Sequence, residues 1–157
     1  MADDAEQVEG ESITGNLAVC AFVERSHLFK GLAREDLGHL FQTGRLVRCR
    51  AGEVFMREGE PGGEMYLLME GSVRVSTGGK QGEIELAQLK RGAVIGEVGV
   101  LTGRPRTATV TALESIALVG WSKADMDVIL RKYPKVRKLL QAMVEGRVRT
   151  TIEKAQS

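Results

Sequence analysis

The sequence predicts an α+β, mainly β fold: an eight-stranded antiparallel β-roll or jelly roll with N-terminal helices, a short helix in a glycine-rich insert, and two C-terminal helices. Three observations predict it. Apolar residues recur at helical spacing up to Gly44, the period then falls to two until about Trp121, and helical spacing returns after Ser122. Twelve of the 19 glycines lie between Gly52 and Gly103, which marks many tight turns in the middle of the chain. The 157 residues suit one domain, able to bury about two thirds of the surface its unfolded chain would expose.

Residues 1–12 carry Asp3, Asp4, Glu6, Glu9 and Glu11 with almost nothing to bury, and read as a disordered acidic tail. A single domain then spans 13–154. Its helical leader, 13–44, places Leu17, Cys20, Leu28, Phe29, Leu32, Leu37, Leu40 and Phe41 at helical intervals, broken by Gly15, Gly31 and Gly44. Two or three short helices fit.

The β-roll, 45–122, opens with Val47, Cys49 and Ala51 alternating with Arg48 and Arg50. Val54-Phe55-Met56 follows, then the turn Glu60-Pro61-Gly62-Gly63. Met65–Met69, Val73–Val75 and Ile84–Leu89 are further strands, with Gly78-Gly79-Lys80-Gln81-Gly82 as a hairpin loop. Thr107–Ala112 and Ile116–Trp121 complete the set. Over 123–154, Ser122 caps a helix with Met126, Ile129 and Leu130, and Pro134 starts a longer one. On that helix Val136, Leu140 and Met143 share a stripe about 60° wide, and Arg147 projects into its middle.

A net charge of +1 supplies no global field toward nucleic acid or acidic lipid, so an anion needs a local site. Cys20 and Cys49 are isolated thiols, which gives no metal knuckle or disulfide framework and reads as two ordinary buried cysteines in a reducing compartment. The apolar run Leu17–Val23 is far short of the roughly 20 residues of a membrane span. Cytoplasmic location and no membrane partner are the expectation. No GxSxG elbow, strand-borne Cys-His pair or GxxxxGK[ST] loop occurs, and His27 and His39 lie in the leader. The chain thus reads as a non-enzyme without metal or cofactor; a metal-dependent, cupin-like enzyme is the least favoured alternative.

A binding site is visible in Ile95–Val110, where three glycines, Glu97 and Arg106 precede an alternating Thr/apolar strand. A short helix starting near Glu97 would aim free amides and the positive end of its dipole at an anion. Arg106 adds a charge-assisted contact worth about 1.5–3 kcal/mol. Glu97 beside a phosphate would repel it unless its oxygens accept from hydroxyls, which favours a phosphorylated sugar. Two plainer readings stay open: Glu97 and Arg106 pair with each other or face water, and Arg147 snorkels to solvent.

The segment resembles the phosphate-binding cassette of the cyclic nucleotide-binding domain family. Ile95-Gly96-Glu97 and Pro105-Arg106-Thr107-Ala108-Thr109-Val110 carry the likeness. It extends through Ala51-Gly52-Glu53, Arg57-Glu58-Gly59-Glu60-Pro61-Gly62, Met65-Tyr66 and Glu70-Gly71-Ser72-Val73, over about residues 25–153. The resemblance implies a sensor of cAMP, cGMP or both. Glu97 would receive the ribose 2′-hydroxyl, the amides of Gly96 and Val98 would meet ligand oxygens, and Arg106 would pair with the cyclic phosphate. Thr107 would permit cGMP without excluding cAMP. Tyr133-Pro134 and Arg147 have the spacing of channel-type members, whose last helix closes over the base; Met143, Val144 and Thr151 are candidate neighbours, with Val54, Met65 and Val75 for the base pocket. Val98-Gly99-Val100 departs from the family pattern and adds a glycine to the short helix.

Partners implied are the cyclic nucleotide and an unidentified protein effector, with no nucleic acid. Only three residues follow Lys154, so a DNA-binding helix-turn-helix is expected on no part of this sequence. A ligand-free interaction module of the same fold is the main alternative. Val148 and Ile152 offer a weak homodimer contact or plain packing.

Overall fold

The computed structural model describes residues 10–155. Two helices lead: α1 (Leu17–Arg25) and α2 (Arg34–Thr43). Asn16 starts α1 by accepting from the Val19 amide at 3.2 Å, a cap worth about 1 kcal/mol. The strands that follow are β2 (Arg45–Cys49), β3 (Val54–Met56), β4 (Met65–Glu70), β5 (Val73–Gly79), β6 (Gly82–Leu89), β7 (Val94–Ile95), β8 (Thr109–Ala112) and β9 (Ile116–Trp121). Helix α3 (Glu97–Thr102) sits between β7 and β8, and α4 (Lys123–Lys132) and α5 (Pro134–Ala155) close the chain. Ser122 caps α4 by accepting from the Asp125 amide, and Pro134 is the first residue of α5.

Strands β2–β9 match the expected number of eight, although the two-residue β7 lies in none of the stretches read as strands, and a ninth strand precedes them. Glu11–Ser12 forms β1 and pairs antiparallel with Arg45 and Leu46, in a stretch expected to be a disordered tail. Backbone pairing needs no apolar side chain, so acidic composition did not reveal it. Residues 1–9 of that stretch lie outside the described residues. The strands form two antiparallel sheets, β1-β2-β9-β4-β7 and β3-β8-β5-β6. Gly79 pairs with Gly82, so the hairpin loop is a tighter turn than Gly78–Gly82 suggests.

Two apolar cores follow from strand periodicity. On β4, Met65, Leu67 and Met69 face a core shared with the helices, while Tyr66 and Leu68 face the interior of the roll. β9 divides in the same way: Ala117, Val119 and Trp121 turn to the helices, Ile116 and Leu118 to the roll. Trp121 is fully buried, donates its indole N–H to the Leu40 carbonyl at 2.9 Å, and meets Phe29 edge-on at 5.3 Å. Cys20 and Cys49 are only partly buried, contrary to expectation, because each lies at the margin of a core.

The junction of α4 and α5 is tied to α2. The Tyr133 hydroxyl donates to Asp36 and accepts from the Ala33 amide at 3.0 Å, and Lys132 Nζ reaches Asp36 at 3.1 Å. The Tyr133 hydrogen bond, supported by Lys132, holds the Asp36 carboxyl below its ordinary value, against the opposing effect of desolvation. No described helix is long and apolar enough to cross a membrane.

Candidate functional site

Strand β7 delivers the chain to Gly96, whose φ of 89° is left-handed; a Cβ there would also collide with the Glu64 carbonyl. Only glycine makes this corner, and the corner sets Glu97 as the first residue of α3. The first-turn amides of this helix, Val98 among them, have no intrahelical acceptor.

Arg106 arrives from the other side. Its side chain is only 8% exposed and is held by the loop before β4: Nη1 donates to the Glu64 carbonyl at 3.0 Å and Nη2 to Glu64 Oε2 at 2.8 Å. The backbone of the same loop grips it too, with Gly59 N–H donating to the Arg106 carbonyl and Arg106 N–H to the Glu60 carbonyl, both at 2.8 Å. Glycines leave the room for this. A Cβ on Gly62 would stand 2.7 Å from Arg106 Nε, one on Gly96 3.0 Å from Nη1, and one on Gly99 3.3 Å from Nη1. The extra glycine of α3 is required first by the Gly62 carbonyl, 2.5 Å from where its Cβ would stand, and also leaves space for the guanidinium.

Glu97 is 1% exposed, and neither carboxylate oxygen has a hydrogen-bond partner. Arg147 Nε lies 3.1 Å from Glu97 Oε1. The pair is therefore ionic without being hydrogen-bonded, because the donor direction does not meet hydrogen-bond geometry. A buried carboxylate with unmet acceptors is costly unless something supplies donors, about 1–3 kcal/mol or more per group. Arg147 itself is anchored by Nη2 donating to the Val94 carbonyl at 2.6 Å and is 35% exposed.

Glu97, Arg106 and Arg147 thus face one cavity of about 110 Å³. Much of the remaining lining is apolar: Met56, Val75, Leu86, Leu89, Ile95 and Val110. Gly96, Val98 and the exposed Thr107 line it as well. Every expected site residue therefore reaches one place, and neither plainer reading applies: Glu97 and Arg106 take different partners, and Arg147 turns inward.

The base-pocket candidates fare differently. Val75 lines the cavity, Val54 and Met65 do not. Strand β3 shifts register between Val54 and Met56, which reverses its phase and turns Met56 inward. Met65 faces the helical core. Of the proposed Arg147 neighbours, Met143 packs on the helical core and Val144 does not line the cavity. The side chains of Thr151 and Val148 lie outside the described residues, and Ile152 is exposed. Sequence reasoning missed Glu64 and Gly62, which appeared only as parts of a turn; a carboxylate directly after a Pro-Gly-Gly turn was the available signal. Among the described residues no three His, Cys, Asp or Glu side chains converge as a metal set.

The cavity therefore presents a guanidinium and a buried, under-bonded carboxylate beside apolar side chains. The profile described as cyclic nucleotide-binding domain matches residues 46–133, more than half of the sequence, and the chain belongs to that family. A putative potassium channel protein of Rhodopseudomonas palustris is 32% identical over 127 residues, covering 81% of this chain and 31% of that protein. The cyclic nucleotide-gated channel beta-1 of Homo sapiens is 34% identical over 131 residues, 82% of this chain and 10% of that one. The chain thus spans a third or less of these relatives. Among solved structures, the N-terminal domain of a transcriptional regulator from Streptomyces coelicolor is 31% identical, with a TM-score of 0.64, over 84% of this chain and 93% of that one. The regulatory domain of Toxoplasma gondii PKA, crystallised with cAMP, shares the fold at 21% identity, with a TM-score of 0.75, over 83% of this chain and 49% of that one.

Proposed function

We propose that this chain is a regulatory sensor that binds a 3′,5′-cyclic nucleotide, cAMP or cGMP, in the cavity between the β-roll and α5. The observation that carries the reading is Glu97: a carboxylate 1% exposed, with no hydrogen bond to either oxygen, facing the same cavity as the Arg106 guanidinium. Ribose hydroxyls would supply the missing donors. The ring phosphate would sit on the open edge of Arg106 and at the first-turn amides of α3, with Gly96 and Val98 at its oxygens. The base would lie against Met56, Val75, Leu86 and Leu89. Thr107 stands on the rim, where its hydroxyl would contact a guanine amino group and so admit cGMP beside cAMP.

Arg147 works as the lid residue. Entry of a ribose would bring hydroxyl donors to Glu97, and the Arg147 guanidinium would turn from the carboxylate toward the base. The Tyr133–Asp36 tie fixes the start of α5, so such a change is read out along the helix to a protein effector. A coupling of about 1–3 kcal/mol is enough for that output. The charge set of Glu97, Arg106 and Arg147 on one cavity has no use in a ligand-free interaction module.

Calorimetric titration with cAMP and cGMP tests the reading. Micromolar binding of either, about −8 kcal/mol, is expected. A folded protein that binds neither at millimolar ligand overturns it.

A further inference from the structure

Three charged side chains line the cavity, and with Glu64 set back from it they form two ion pairs, Glu64 with Arg106 and Glu97 with Arg147. Two acids and two bases leave the site formally neutral. The Arg106–Glu64 pair is also shielded, its side chains 8% and 21% exposed, so salt screens the carboxylate poorly. Glu64 itself is absent from the cavity wall, whereas Arg106 lines it. An anion docking on Arg106 therefore has Glu64 behind the guanidinium and Glu97 beside it.

We propose that Glu64 is a charge filter: by offsetting part of the Arg106 charge it makes the site accept singly charged phosphodiesters and reject doubly charged phosphomonoesters. The inference rests on the cyclic nucleotide reading above. Attraction to the site grows in proportion to the charge of the ligand, while the cost of removing that charge from water grows with its square. Lowering the positive potential therefore penalises a dianion more than a monoanion. A cyclic phosphate carries one negative charge at any pH near neutrality. A 5′-monophosphate carries nearly two above its second ionisation near pH 6. Shape alone would not separate the two reliably in an apolar cavity with an open mouth, because an uncycled phosphate still reaches Arg106.

The test is calorimetry at pH 8 with three ligands of one base: the cyclic monophosphate, the 5′-monophosphate, and the methyl ester of that monophosphate, which is open-chain but singly charged. Wild type should bind the methyl ester on the order of tenfold more tightly than the free monophosphate. Glu64→Gln, which keeps an oxygen for Arg106 Nη2, should narrow that gap severalfold, and Glu64→Asp should keep it. If Glu64→Gln does not fold, Glu64→Asn carries the same comparison. Equal affinities of the ester and the free monophosphate in wild type overturn the filter, as does an unchanged gap in the folded neutral variant. Binding of the cyclic ligand with neither open-chain ligand detectable means that ring shape discriminates, and also overturns it. Loss of all three ligands in wild type overturns the nucleotide reading itself.

Discussion

The two arginines of the site are held in opposite ways. Arg106 is fixed by its surroundings: two hydrogen bonds to Glu64, two backbone bonds to the loop at Gly59 and Glu60, and three glycines whose missing side chains leave its space. Arg147 projects from a helix toward Glu97 and the Val94 carbonyl, is four times as exposed on the same scale (35% against 8%), and has no comparable glycine mould. Under the proposed function, the difference separates a half of the site that is built before a ligand arrives from a half that can exchange partners. A floor that is preorganised adds affinity because little is lost in ordering it, and a lid that exchanges partners adds response.

The largest expected effect is on the floor. Arg106→Ala should weaken cyclic nucleotide binding on the order of 100-fold by calorimetry, with a cooperative melt retained. Unchanged affinity would sink the assignment of Arg106 to the phosphate. Gly96→Ala should act next, since the left-handed backbone and the collision with Glu64 would cost about 1–3 kcal/mol, read as a lower melting temperature together with weaker binding. Arg147→Ala should cost less than tenfold in affinity. If it proves as damaging as Arg106→Ala, the contrast between floor and lid is wrong.

Smaller effects sharpen the picture. Thr107→Ala should lower cGMP affinity a few-fold relative to cAMP in a competition titration; equal loss of both would remove Thr107 from discrimination. The weakest effect belongs to the base of the lid. Asp36 titrates below its ordinary value of 3.8 in the folded protein, so its contribution to stability is present above about pH 4 and is lost as pH falls through the folded value. Melting temperatures measured from pH 6 to pH 3 should fall more steeply for wild type than for Asp36→Asn. Parallel curves would mean that the Tyr133–Asp36 tie does not hold the helix start.

How much of this was legible in sequence depended on distance along the chain. Glu97 and Arg106 stand nine positions apart in one insert, and their residue types alone suggested a sugar phosphate. Arg147 was legible because a helix makes one charge on an apolar stripe conspicuous. Glu64 was not, because its partner is 42 residues away and the turn glycines beside it already had an explanation. Strand phase was the other blind spot. Met65–Met69 is apolar at every position, so no period tells which residues face which core, and the register shift in β3 inverted the choice between Val54 and Met56. Strand β1 was hidden for a different reason, since its pairing with β2 is carried by backbone alone.

Strands β4 and β9 have a further consequence, because each belongs to two neighbourhoods at once. Tyr66 sits opposite Gly120 and Leu67 opposite Val119. Alternate residues look into the interior of the roll and into the core shared with the helices. A wall of this kind has only two settings: moved by one residue, every side chain would change rooms. The partition is therefore all-or-none, and neither side can take a side chain from the other without losing its own.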